Sequence, residues 1–221
     1  MHAPPHASRL FGLLFLATAA SVAAQGVVAA GDVRNILVTS LAAASLVLAF
    51  RAAEVRQPLF AGAVAVAVSI VAVSVVRAFG ADIGEGAARA MNAALVSLAP
   101  PAVVIAVVRD LRSSGQVRLS AVMGVLSLYM LIGLSFAFSY GAIDRFGDDA
   151  FFADGNLATA SNCIYFSFTT LTTVGYGDFV AATSLGHTLA VFEMLIGQIY
   201  LVTVVSLIVG NLGRPARRPQ R

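Results

Sequence analysis

Long apolar runs separated by short polar breaks dominate the chain. Six of them, at approximately 10–30, 33–50, 58–78, 90–108, 119–141 and 186–212, reach or approach the length needed to cross a hydrocarbon core. A core of about 30 Å takes roughly 20 helical residues. The second run is the weakest, with an apolar core of 36–50 that must borrow residues before Arg34. Between the fifth and sixth runs, segment 142–185 behaves differently. It begins polar and acidic, turns into a short apolar and aromatic run from Ala158 to Leu171, and breaks at Gly175 and Gly177. That run is too short to span, and it predicts a re-entrant helix over roughly 159–171 with Thr159 capping its start. Irregular backbone at membrane depth is tolerated only where it is buried in protein or lines a watery path. The pattern therefore predicts an all-α membrane protein of six transmembrane helices, with a re-entrant helix and loop between helices 5 and 6.

Composition reinforces this. The chain is 59% hydrophobic and 11% charged, where a soluble domain carries about a quarter charged residues. Its net charge of +3 does not imply nucleic acid, because the basic residues, all arginine, sit beside apolar spans and orient the chain. With the N-terminus inside, ten arginines (9, 51, 56, 109, 112, 118, 214, 217, 218 and 221) fall on the inner side and four (34, 77, 89 and 145) on the outer. This satisfies the positive-inside rule and places 142–185 on the outer face. Both termini are then cytoplasmic. Leu10 to Ala24, followed by Gln25, also resembles a cleavable signal peptide, though with a poor basic region. Cleavage would leave five helices with unchanged sidedness, and a retained first helix is the preferred reading. Arginine without lysine, together with richness in Ala and Val, suggests a bacterial source and hence the inner membrane. The lone Cys163 reads as a small buried apolar residue. Residues 213–221 are too few for a ligand-binding domain.

Candidate chemistry is concentrated in Thr172-Thr173-Val174-Gly175-Tyr176-Gly177-Asp178. Replacing the hydration shell of a cation inside a membrane requires several successive rings of oxygen. An ordinary strand alternates its carbonyls between two sides. A backbone alternating between left- and right-handed conformations can aim them at one axis, and glycine serves the left-handed positions. Gly175 and Gly177 have the required spacing. Val174 and Tyr176 would turn their side chains away and brace the loop, and the Thr173 hydroxyl would form the innermost ring. One loop supplies one oxygen per ring, so a homotetramer is expected.

Residues 119–212 resemble the two-helix pore domain of potassium channels, and the run from Tyr165 to Asp178 carries the resemblance. It implies an outer helix, a pore helix, a selectivity filter and an inner helix. The implied domains are a four-helix N-terminal membrane region (1–112), the pore domain (113–213) and a basic tail (214–221). The resemblance implies K+ held by the backbone carbonyls of Thr173, Val174, Gly175 and Tyr176, with no cofactor beyond the permeant ions. It implies no enzymatic activity, and its partners are further copies of the chain and membrane lipid. Ala181 stands where the family usually has proline, and Tyr165 and Phe166 stand where it often has tryptophan. These departures bear on filter stiffness rather than selectivity.

Around the loop, Thr172, Thr169 and Asp178 are candidate supporting residues. Asp178 either steers cations or bonds behind the filter. Asp144, Asp148, Asp149 and Asp154 would form an acidic vestibule or simply be solvated. Glu193, ionisable within a span, is expected to bond to pore-helix hydroxyls such as that of Thr169, or to backbone groups behind the filter, rather than face the ion path. Gly197 corresponds to the family's inner-helix hinge, with tight helix packing as its alternative. Val202, Val205, Ser206 and Val209 are gate candidates. Residues 90–108 lack arginine, and Arg109 and Arg112 read as snorkelling at the inner border, so little voltage dependence is expected. An intramembrane serine protease would need Ser135 and His187 at one depth, and the pattern separates them. A transporter subunit would carry several degenerate loops, and this chain has one.

Overall fold

The computed structural model describes residues 5–29, 31–79, 91, 94, 96–114, 119–153 and 155–212. Seven helices follow one another there: α1 (Pro5–Val27), α2 (Asp32–Ala52), α3 (Gln57–Ala78), α4 (Ala99–Ser114), α5 (Leu119–Phe146), α6 (Ala160–Leu171) and α7 (Ser184–Leu212). The described residues contain no strand, only an isolated bridge between Phe152 and Ala181. Five helices are long and apolar enough to cross a membrane: α1, α2, α3, α5 and α7. This is an all-helical, multi-pass membrane protein.

The fourth apolar run differs from its expectation. Within the described residues its apolar part is Ala99–Arg109, shorter than a span. Pro100 and Pro101 fall in the first turn of α4, where a missing N–H costs nothing. Residues 80–90 and Arg89 lie outside the described part, as do Arg118, Asp154 and the 214–221 tail, and so do the side chains of Asp110, Arg112, Val205 and Val209.

Each helix buries a face at helical spacing. On α1 that face is Phe11, Leu14, Thr18, Ser21 and Gln25. Thr18 satisfies its hydroxyl on the Leu14 carbonyl of its own helix. On α2 the face is Val38, Thr39, Ala42, Ala43, Ser45, Leu46 and Ala49, and its small residues let backbones approach closely in lipid. On α4 it is Ala99, Ala102, Val103, Ala106 and Val107. Helix α1 packs on α2 and α5, α2 on α3 and α4, and α5 on α4 and α6, so α5 joins the N-terminal helices to the re-entrant segment. Arg109 does more than snorkel. Its guanidinium donates to the Ala53 carbonyl, and at 3.3 Å to that of Glu54, covering carbonyls left open where α2 ends.

Candidate functional site

The re-entrant segment is built as its pattern requires. Thr159 caps α6, its hydroxyl accepting from the Asn162 N–H at 3.2 Å. The helix sits against two glycines that admit close contacts. A Cβ on Gly133 of α5 would come within 2.9 Å of the Phe168 ring. A Cβ on Gly197 of α7 would come within 2.0 Å of the Leu171 carbonyl oxygen. Packing therefore suffices to require glycine at 197, and α7 runs unbroken through that position.

At the end of α6 the chain turns into the 172–178 loop. The amides of Val174 and Gly175 both donate to the Thr169 carbonyl, at 2.9 and 3.1 Å, while that of Thr173 donates to Thr170 at 2.9 Å. The Thr172 hydroxyl donates to the Phe168 carbonyl at 2.6 Å. Thr169 thus supports the loop through its backbone, its own hydroxyl donating to the Phe166 carbonyl at 3.0 Å. The backbone alternates in hand. Thr173, Gly175 and Gly177 have φ of 59°, 52° and 80°, and Val174 and Tyr176 between them remain at negative φ. The glycine pattern foretold two of these three left-handed positions, and Thr173 adds a third at a residue with a Cβ. No neighbouring atom lies within 4 Å of a Cβ built on Gly175 or Gly177. The dihedral, not local space, is what restricts these two positions.

Side chains brace the loop from behind and below. The rings of Tyr165 and Tyr176 stack at 6.3 Å with planes 10° apart. The Asp178 backbone carbonyl accepts from the Asn156 amide at 3.5 Å. Where the loop begins, Gln198 of α7 donates to the Thr173 hydroxyl oxygen at 2.9 Å. Beyond the loop, Ala153 N–H donates to Val180 O at 2.9 Å and Ala182 N–H to Phe151 O at 2.8 Å, tying the approach to the exit. An aromatic cluster of Tyr140, Phe151, Phe152, Phe166 and Phe179 fills the space beneath. Asp144 accepts from the Phe151 amide at 3.0 Å, so this linker carboxylate shapes the loop, whereas Asp148 and Asp149 are exposed.

Glu193 is fully buried, and its partners differ from the expected Thr169. Tyr140 donates to its Oε2 at 2.6 Å, and the Ser167 hydroxyl lies 2.5 Å from its Oε1 and 2.7 Å from the Gly133 carbonyl. The reason is helical phase: Ser167 is buried in the face of α6 turned toward α5 and α7, and Thr169 spends its hydroxyl on its own helix. The network thus ties α5, α6 and α7 together. Tyr140, Ser167 and Gln198 escaped sequence reasoning. The signal was available for Ser167, a polar residue in an apolar run, but nothing in the sequence paired it with Glu193. Ser135 donates to the Leu131 carbonyl at 2.7 Å, so its hydroxyl is committed to its own helix.

Residues 124–213 match the family model described as ion channel. Over 103 residues the chain is 29% identical to the calcium-activated potassium channel slowpoke of Drosophila melanogaster. The matched stretch is 47% of this chain and 8% of that protein, so the chain corresponds to a small part of its relative. No solved structure matches the chain.

Proposed function

We propose that the chain is one subunit of a homotetrameric potassium channel and that residues 172–178 form its selectivity filter. The observation that carries the reading is the alternation of backbone hand at Thr173, Gly175 and Gly177. A loop with that alternation can present successive carbonyls along one line, and four loops around an axis make rings of oxygen in place of water. K+ is the permeant substrate, held by the carbonyls of Thr173, Val174, Gly175 and Tyr176 and, innermost, by the Thr173 hydroxyl. The C-terminal end of α6, at Leu171, leads directly into the loop, and its partial negative charge favours a cation nearby. In this reading 113–213 form the pore domain, 1–112 an N-terminal membrane region and 214–221 a basic tail, in a bacterial inner membrane with both termini cytoplasmic. The similarity to a protein named as a potassium channel supports the choice of ion.

The unassembled subunit also supports assembly around the loop. Tyr176 is 72% exposed and Val174 53% exposed, although both belong to a segment that would lie at membrane depth. Apolar side chains along α7, including Leu195, Ile199 and Val202, are likewise uncovered. Neighbouring copies would cover these surfaces.

Reconstitution into liposomes tests the proposal. With a potassium gradient, the protein is expected to carry K+ in strong preference to Na+. Gly175→Ala is expected to abolish that flux, because each Cβ at a left-handed position costs about 1–2 kcal/mol and the penalty recurs in every subunit. Equal K+ and Na+ flux would identify a weakly selective cation channel instead. An unchanged flux in Gly175→Ala would remove the loop from the pathway altogether.

A further inference from the structure

A cavity of about 260 Å³ lies between the N-terminal helices and α6. Its polar wall comes from helix ends: Gln25 in the last turn of α1, Asp32 and Arg34 at the start of α2, and Arg77 in the last turn of α3. Ile70 and Phe138 contribute apolar lining, and Cys163 brings the cavity against the re-entrant helix. Gln25 is 3% exposed, and its Nε2 has no hydrogen-bond partner. A buried amide donor without an acceptor is costly, and native structures avoid it unless something supplies the acceptor. Gln25 lines this cavity, so an occupant of the cavity can supply it.

The chemistry of the wall defines that occupant. Among the described residues, Arg34 and Arg77 line it beside one acidic residue, Asp32, and the orphaned Gln25 group is a donor. Guanidinium and amide N–H groups match an anion rich in acceptor oxygens. The N-terminus of α2 at Asp32 adds its partial positive charge. The space far exceeds the roughly 10–15 Å³ of cavity that a single water needs, and at about 260 Å³ it admits a group of several heavy atoms such as a phosphate. Polar walls at the ends of spanning helices, with apolar lining beside them, suit the level at which lipid phosphates lie. We propose that this cavity binds a phosphate group, carried by an anionic phospholipid, between the N-terminal helices and the re-entrant helix. The proposal does not depend on the conduction pathway.

The test uses the full chain purified in detergent and follows its melting temperature. The probes are dioctanoyl phosphatidylglycerol, dioctanoyl phosphatidylcholine and inorganic phosphate. Phosphatidylglycerol is expected to raise the melting temperature by several degrees and phosphatidylcholine to leave it unchanged. The double variant Arg34→Gln, Arg77→Gln should lose the shift. Gln25→Met, which removes the donor while keeping the side chain long, should reduce it. If inorganic phosphate reproduces the shift in full, the site stands and its ligand is the free anion. Equal shifts from both lipids, no shift from any probe, or a phosphatidylglycerol shift unchanged in both variants would overturn the proposal and leave a water-filled cavity. Should the double variant fail to fold, Gln25→Met and the comparison of probes decide the matter.

Discussion

Gln198 and Glu193 show how single side chains prepare the loop from a distance. The Gln198 amide reaches the Thr173 hydroxyl oxygen, the innermost candidate ligand, and fixes where that oxygen lies. One neutral hydrogen bond is worth about 1 kcal/mol, roughly a fivefold change in an equilibrium at 1.4 kcal/mol per factor of ten. Gln198→Leu is accordingly expected to lower unitary K+ conductance several-fold while the protein stays assembled. Single-channel recording in planar bilayers measures it. Glu193 acts through Tyr140 and Ser167. Glu193→Leu strands the Tyr140 hydroxyl in a buried site, at a cost of about 1–3 kcal/mol, whereas Ser167 keeps the Gly133 carbonyl as its acceptor. The expected outcome is a lower melting temperature with K+ preference intact in whatever protein survives. If Glu193→Gln instead left stability alone and weakened the preference for K+ over Na+, Glu193 would be an ion site. Sequence reasoning found Glu193 because a carboxylate within an apolar run is conspicuous. It named the wrong hydroxyl because the choice between Ser167 and Thr169 depends on the angle at which two helices meet.

Helices α6 and α7 are held by contacts that have no local signature. The cap at Thr159 was legible, since a threonine before an apolar run is a recognised helix start. Thr159→Ala is expected to destabilise the re-entrant helix by about 1 kcal/mol, seen as faster hydrogen exchange at the amides of Asn162 and Cys163. Gly197 is a stronger case. Its missing side chain makes room for the Leu171 carbonyl, which lies 2.0 Å from where a Cβ would stand. Gly197→Ala must push α7 away from the end of α6, so loss of stable assembly in size-exclusion chromatography is expected. A hinge role predicts something else: normal assembly with an altered open probability. The bridge between Phe152 and Ala181 bears on the missing family proline. Ala181 is buried and sits in that isolated bridge, where the bonds from Ala153 N–H to Val180 O and from Ala182 N–H to Phe151 O join the approach and exit of the loop.

The whole molecule divides unevenly around α5. The window of α3 that would cross the membrane is 11% buried and that of α5 50%, so α5 is the internal post and α3 lies at the edge of the subunit. Within Ala99–Arg109 the only arginine, Arg109, is tied to the end of α2. A charge committed to a backbone cap is poorly placed to move across a field. Conductance is expected to vary little between −100 and +100 mV, a range chosen to exceed resting potentials of about −40 to −90 mV. Voltage steps on reconstituted protein check this, and a steep activation curve would sink it. Light scattering of the detergent-purified protein is expected to give the mass of four chains, as one loop per chain requires.

Five of the six spans, the re-entrant segment and the glycine positions of the loop were legible in the sequence, because lipid leaves a backbone few options. Apolar runs of sufficient length must become helices, and glycines two apart permit a backbone that alternates in hand. Tertiary structure decided which groups meet. It paired Glu193 with Tyr140 and Ser167, seated Gln198 on Thr173, set Arg109 on the end of α2 and left Gln25 facing a cavity. Those meetings depend on the rotation and crossing of packed helices, which long-range contacts set and which a uniformly apolar sequence encodes only weakly.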